Sequence, residues 1–301
     1  MLTNLILIFF LETIQPSYST LTAAVPEEFA VMAAAPTLSD RMAPLKTGIS
    51  IEPVVDAQSI FSLDISTDTP LLLRNIFVKR PIASIGKLVT AMVIIDNQKP
   101  DEVVTVSRHA SREEPSKMWL KEGEKITVEN LLTGLLMGSA NDSAVALAEF
   151  DSGNEEKFVK KMNEKAAALS LKNTHFSNVM GFDEPDNYST AYDTMLFSRE
   201  ALKYPFIKKT VSQKSATVTS VDGEIKHDLK STNVLLENAY FNVKGLKTGT
   251  TPAAGQSFVS YTMGPNNHEI ITVILDSPDR FKETKIVLDW IFRNFNFPTL
   301  K

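Results

Sequence analysis

Residues 83–95 read Ala83-Ser84-Ile85-Gly86-Lys87-Leu88-Val89-Thr90-Ala91-Met92-Val93-Ile94-Ile95, shortly after Pro81. Proline is excluded from a helix interior and favoured at its start, so the spacing predicts a helix beginning after Pro81. Ile85, Leu88, Met92 and Ile95 fall on one face, at steps of three and four. Ser84 and Lys87 are then neighbours on adjacent turns. A serine hydroxyl beside an amine is a candidate nucleophile and base. The same residues also make an ordinary helix start with a solvated lysine. The pair alone leaves both readings open.

The bulk of the chain narrows the class. Its 301 residues suffice for one large domain or two small ones, and 43% hydrophobic with 22% charged residues is ordinary for a globular core. The formal net charge of -5, with no basic stripe, disfavours a nucleic-acid partner. There is no cysteine, hence no disulfide, no thiolate zinc site and no thiol nucleophile. The four histidines (His109, His175, His227, His268) are scattered without a His-x-x-x-His pair. They read as surface or lightly buried residues, and no metal site is expected.

In chain order, Leu5–Leu11 is an apolar run too short to cross a bilayer but of signal-peptide length. No Lys or Arg precedes it. Residues 1–24 are therefore expected to be a signal peptide, with Thr22-Ala23-Ala24 offering a cleavage site, or else an N-terminal membrane anchor. Residues 25–50, with Pro26, Pro36, Pro44 and three consecutive alanines, read as a linker.

From residue 51 the pattern becomes regular. Ser59–Ile65 and Leu71–Phe77 read as strands. The Ser84 helix follows, then a strand over Val103–Val106. Thr127 caps a helix carrying Leu131, Leu132, Leu135 and Leu136, and further helices are expected over 143–150 and 155–169. Thr190-x-x-Asp193 has capping-box spacing ahead of another helix reaching about Lys203. Ser215–Val221 and Glu224–Leu229 form a hairpin about Asp222-Gly223. Strands over 241–250, 256–263 and 269–275 and an amphipathic helix over 280–295 close the chain. Strands, an inserted mainly helical block, more strands and a final helix make an α+β layout, an antiparallel sheet flanked by helices.

Two later stretches bear on Ser84. Ser139-Ala140-Asn141 puts a hydroxyl and a carboxamide at alternate positions of a helix-to-helix turn. Lys247-Thr248-Gly249 alternates charged and small residues in an apolar strand, where Lys247 would supply a fixed positive charge and Gly249 would leave room for a substrate backbone. Taken singly these are a turn with a cap and a lysine-protected edge strand. Taken together, Ser-x-x-Lys, Ser-x-Asn and Lys-Thr-Gly stand in the order found in β-lactamases and penicillin-binding proteins.

On those motifs the chain resembles a low-molecular-weight penicillin-binding protein, a serine-type D-alanyl-D-alanine carboxypeptidase. Ala83–Val93, Ser139–Glu149, Asn187–Asp193, Ser231–Leu236 and Gly245–Gly255 carry the resemblance, over about residues 51–297. It implies a penicillin-binding transpeptidase-like fold and removal of the terminal D-alanine from peptidoglycan stem pentapeptides, outside the cytoplasmic membrane. It also implies β-lactams as covalent ligands. The implied roles are nucleophile for Ser84, base for Lys87 and proton relay for Ser139. Asn141 would orient Lys87 and bind the substrate amide. Lys247 and Thr248 would meet the substrate carboxylate, with Gly249 beside it. The N–H groups of Ser84 and Thr250 would form an oxyanion hole. Arg280, ten residues before Trp290, has the spacing of a family arginine that contacts the substrate carboxylate. No cofactor is implied. The C-terminal β-domain and anchor of many relatives have no counterpart in the sequence, so membrane contact is expected from the N-terminus.

Three other readings share these residues. A D,D-endopeptidase cleaves after the same D-alanine. A class A β-lactamase needs a deacylating glutamate in a Glu-x-x-Leu-Asn loop, and no acidic residue between Asn141 and Lys247 has that context. A non-catalytic peptidoglycan binder is disfavoured by the intact Ser84, Lys87 and Lys247. Asp193 reads as a helix cap, Glu149 as a solvated helix residue, and Gly86 as an unusual glycine inside a helix.

Overall fold

A computed structural model describes residues 43–48 and 50–300. The expected signal or anchor segment 1–24, and most of the expected linker, lie outside the described residues. Within that linker, β1 (Leu45–Lys46) pairs with β11 (Phe295–Asn296).

A five-stranded antiparallel sheet in the order β3-β2-β10-β9-β8 organises the rest: β2 Ser59–Asp64, β3 Thr69–Arg74, β8 Val243–Thr251, β9 Gly255–Met263 and β10 Glu269–Ser277. The register sets Phe61 opposite Val273 and Ile60 opposite Ile274. Alternate side chains therefore reach opposite faces. Ile60, Ile270 and Ile274 share a buried cluster with Val287 and Ile291 of the last helix, α7 (Arg280–Asn294). On the other face Phe61 stacks on Tyr192 of α5 (Ala191–Ala201), ring centroids 6.1 Å apart. Helices on both faces explain why β10 is buried at nearly every position rather than at every second one.

The expected inserted block lies between β3 and β8. It contains α1 (Lys87–Asn97), the hairpin β4–β5 (Val103–Thr105, Lys125–Thr127), α2 (Val128–Thr133), α3 (Asn141–Ser152), α4 (Glu155–Ala168), α5 and α6 (Pro205–Thr210). A second hairpin, β6–β7 (Ser215–Thr219, Lys226–Lys230), follows. Thr127 caps α2 by accepting from Asn130 N–H, and Thr190 caps α5 by accepting from Asp193 N–H, both at the expected positions. β5 was not expected. Three residues are too few to show a period, and only pairing with Val103–Thr105 makes them a strand. The leucine-rich stretch leaves α2 as a π turn, Gly134–Gly138, and ends in Ser139 with left-handed backbone (φ 59°). This left-handed residue joins the π turn to α3, which starts two residues later at Asn141.

The expectation of surface histidines fails at two positions. His268 is fully buried between Asp64 Oδ2 and Pro298 O, both 2.8 Å away, and His227 is buried between Met118 O and Glu124 Oε1. Composition and spacing carry no information about such partners.

Phe61 lies wholly inside the sheet–α5 interface. Phe61→Ala is expected to cost about 3–5 kcal/mol of unfolding free energy, read from the shift in denaturant midpoint.

Candidate active site

Ser84 lies in a turn of 3₁₀ helix, Ala83–Gly86, that becomes α-helical at Lys87. In a 3₁₀ turn residues three apart eclipse, so Ser84 stands directly over Lys87. Lys87 is fully buried. Its Nζ lies 2.8 Å from Ser84 Oγ, 2.7 Å from Asn141 Oδ1 and 2.7 Å from Met180 O. The solvated-lysine reading is thereby excluded.

The orientation of Asn141 is fixed from its other end. Its Nδ2 donates to Glu114 O (3.0 Å) and its backbone N–H to Ser116 O (2.7 Å), which turns Oδ1 toward Lys87. Asn141 Oδ1 and Met180 O can only accept. They accept two N–H bonds from Lys87 Nζ, so a neutral amine there would turn its lone pair toward Ser84 Oγ. Burial pushes Lys87 well below the ordinary lysine range. The Lys247 ammonium adds to that shift, and Asp142 opposes it. Asp142 accepts from the backbone N–H groups of Met118, Leu120 and Ser143, so its oxygens serve the fold and not the cleft.

Lys247 sits in β8, the edge strand that borders the Ser84 turn. Its Nζ donates to Ser139 Oγ (2.9 Å) and to Thr248 O (3.0 Å). It is buried rather than displayed on an exposed edge. Burial first, and the Arg280 guanidinium second, lower its pKa to about 7. The expectation of a fixed positive charge is corrected accordingly: Lys247 titrates near neutrality. Thr248 Oγ1 is 2.6 Å from Thr232 Oγ1. Arg280, the first residue of α7, donates from Nη1 to Gly249 O (3.1 Å) and to Thr250 Oγ1, while its Nε is buried without a partner. A guanidinium held here by neutral oxygens remains available to an anion.

The glycines act differently from the sequence reading. A Cβ on Gly249 would come within 2.9 Å of Ala83 Cβ and 3.1 Å of Ser84 N. The space is filled by the chain's own Ser84 turn, which β8 approaches this closely because Gly249 has no side chain. A Cβ on Gly86 would lie 3.2 Å from the Phe176 ring, so that glycine makes room for Phe176. Glu149 is not simply solvated. Its Oε1 is 2.9 Å from His109 Nδ1, and that bond raises the His109 pKa.

All nine candidate residues thus converge. Ser84, Lys87 and Asn141 form one hydrogen-bonded group, and Ser139, Lys247 and Thr248 another. Gly249 is wedged against Ser84, and Arg280 holds Gly249 and Thr250. Sequence reasoning missed what holds the group. Asn178 Oδ1 accepts from the N–H groups of Met180 (3.3 Å), Gly181 (2.7 Å) and Phe182 (2.9 Å), which aims Met180 O at Lys87. Gly181 (φ 87°) presses on Ala83, where a Cβ would fall 2.1 Å from the carbonyl oxygen. Asn178-x-x-Gly181 is a turn signal that was available in the sequence.

Residues 47–279 match the peptidase S11 family, D-alanyl-D-alanine carboxypeptidase. The chain belongs to that family. The D-alanyl-D-alanine carboxypeptidase DacD of Escherichia coli K12 is 34% identical over 258 residues, 81% of this chain and 65% of that protein. Across three such S11 relatives the chain spans between 63% and 65% of their length. Among solved structures of this fold, penicillin binding protein 6B from Escherichia coli is 34% identical with TM-score 0.72, covering 83% of this chain and 80% of that one. The Streptomyces K15 DD-transpeptidase is 28% identical with TM-score 0.75, covering 81% of this chain and all of that one.

Gly153 also has a left-handed backbone (φ 81°), but open space where its Cβ would stand. Gly153→Ala should cost about 1–2 kcal/mol from backbone alone. Gly181→Ala should cost at least about 3 kcal/mol, because overpacking against Ala83 O adds to the same strain. Paired melting curves of the two variants check the difference.

Proposed function

We propose that the protein is a serine D,D-carboxypeptidase that removes the terminal D-alanine of peptidoglycan stem pentapeptides through an acyl-enzyme on Ser84. The observation that carries this reading is the buried Lys87 amine, whose Nζ lies 2.8 Å from Ser84 Oγ while two obligate acceptors, Asn141 Oδ1 and Met180 O, take its other bonds. Lys87 takes the hydroxyl proton as Ser84 attacks the carbonyl between the two D-alanines. The N–H groups of Ser84 and Thr250 receive the developing oxyanion. Ser139, on Lys247 Nζ, passes a proton to the departing D-alanine. Lys247, Thr248 and Arg280 meet the terminal carboxylate. Water then resolves the ester. β-Lactams enter as carboxylate-bearing analogues of the same dipeptide.

The substrate is an extracytoplasmic polymer, so the protein acts in the periplasm or at the cell surface. The N-terminal segment outside the described residues would deliver or tether it. No helix among the described residues is long and apolar enough to cross a membrane.

Against a β-lactamase, Asp142, the carboxylate that acts on Lys87, is spent on backbone N–H groups. Penicillin should therefore acylate Ser84 and leave slowly. A fluorescent penicillin is expected to label the protein but not Ser84→Ala, and rapid turnover of the drug would refute the reading. Lys87→Ala should lower the acylation rate by about 10²–10⁴-fold, the range of a positioned general base. Loss of monomeric pentapeptide from a mixed muropeptide digest, rather than loss of dimers, would separate carboxypeptidase from endopeptidase.

The two lysines set the pH profile in opposite senses. Lys87 works neutral, so kcat/KM for a pentapeptide falls as pH drops through its lowered pKa. Lys247 grips an anion only as a cation, and in the free protein it loses its proton above about 7. A bell-shaped kcat/KM profile is therefore expected, with a basic limb from about pH 7 that appears in KM rather than kcat. Lys247→Arg, whose guanidinium does not titrate there, should remove that limb.

A further inference from the structure

The three motifs leave a second concave site unexplained. A cavity of about 390 Å³ opens beside the Ser139 turn, lined by Lys117, Trp119, Lys121, Lys226, Asp228 and Lys230, with Met118 and Gly138 also in its wall. Gly138 is the residue before Ser139. Lys230 lies two residues before Thr232, whose N–H donates to Met137 O and whose hydroxyl meets Thr248. The cavity thus borders the candidate catalytic cleft at two points.

Its charge is opposite in sign to that of the chain as a whole. The chain carries a net charge of -5, yet four lysines stand here against one aspartate. Asp228 already accepts from Thr217 Oγ1 (2.6 Å). Lys117 is paired with Glu114 and lies 4.5 Å from the Trp119 ring centre. Among the described residues, no ion pair engages Lys121, Lys226 or Lys230. Trp119 is 65% exposed, and its backbone is left-handed (φ 69°), costly for a bulky residue. The surroundings impose that conformation. Met118 N–H and Leu120 N–H both donate to the buried Asp142 (3.1 Å each), and buried His227 holds Met118 O at 2.8 Å. Strain maintained from three sides keeps an indole in water, next to unpaired ammonium groups.

The geometry points to a binding site for an anionic glycan: the sugar backbone of the peptidoglycan strand, its ring laid on Trp119 and the acidic groups of its stem peptides met by Lys121, Lys226 and Lys230. An exposed indole offers a flat apolar face that the C–H face of a pyranose covers, and cations at its rim select for negative charge. This inference rests on the proposed function, since it extends the same substrate from the cleft past Ser139 into the cavity. The site would favour peptides still attached to glycan over free peptides.

The test uses Ser84→Ala, which binds without cutting, combined with Trp290→Phe so that Trp119 is the sole remaining tryptophan of the two. A disaccharide-pentapeptide should change Trp119 fluorescence and bind at least tenfold more tightly than the same pentapeptide without sugar. Replacing Lys121, Lys226 and Lys230 together by Gln should bring the two affinities within twofold of each other. Trp119→Ala, followed by calorimetry, should do the same. Equal affinities before replacement, or a preference that survives both sets of changes, would overturn the inference. A fluorescence response to a glycerol-phosphate polymer but not to the disaccharide-pentapeptide would also overturn it. Penicillin labelling with Ser84 intact is scored separately. Lysine-replaced and unreplaced proteins should label alike, and failure of both to label would count against the catalytic reading while the sugar preference still decides the cavity.

Discussion

A buried amine that must not be charged is the constraint on which the rest of this structure depends. Lys87 is enclosed completely, and an ammonium there would carry a large desolvation cost. The fold meets that cost by supplying acceptors for two N–H bonds and a hydroxyl for the lone pair. Each partner comes from a different part of the chain: Ser84 one turn back, Asn141 from the start of α3, Met180 from the loop before α5. A chain that lost any of these loops would leave a buried polar group unpaired, which is more expensive than the hydrogen bond alone. Stability and the arrangement of the site are therefore the same set of contacts.

The supporting groups are polar side chains bound to backbone. Asp142 gathers the N–H groups of residues 118, 120 and 143, Asn178 those of residues 180, 181 and 182, and Asn141 is held by the carbonyls of residues 114 and 116. Loops fastened in this way keep irregular backbone rigid without regular secondary structure. Glycines close the remaining gaps. Gly181 and Gly249 press on the Ala83–Ser84 turn from two sides, and that turn itself has a left-handed residue, Ala83. Three of the non-glycine residues with left-handed backbone, Ala83, Trp119 and Ser139, lie around the cleft and the cavity beside it, where the surroundings over-determine the backbone.

Three basic groups acting on one another give the site its electrical character. Lys247 helps to lower Lys87, Arg280 helps to lower Lys247, and burial is the larger cause for both lysines. The gradient runs from a neutral amine at Ser84 to a guanidinium at the strand edge. In the proposed reading, an incoming carboxylate would find its counter-charge at one end, and the hydroxyl its base at the other.

Much of this was legible in the sequence. Alternation and helical period gave the α+β order, and Thr127 and Thr190 marked helix starts because capping is a local bond. The three motifs named seven of the nine candidate residues, since their types and spacings are properties of the chain itself. The rest depended on contacts across long stretches of sequence. β5 exists only through its partner strand. His227 and His268 are buried because Glu124 and Asp64 fold onto them. Gly249 faces the Ser84 turn and not open space, and Lys247 titrates near 7 and not near 10 because the folded chain removes water around it. The residue types and their order determined which chemistry this chain can hold. Tertiary structure alone decided burial, and with it the protonation states, because desolvation is set by what surrounds a group and not by its neighbours along the chain.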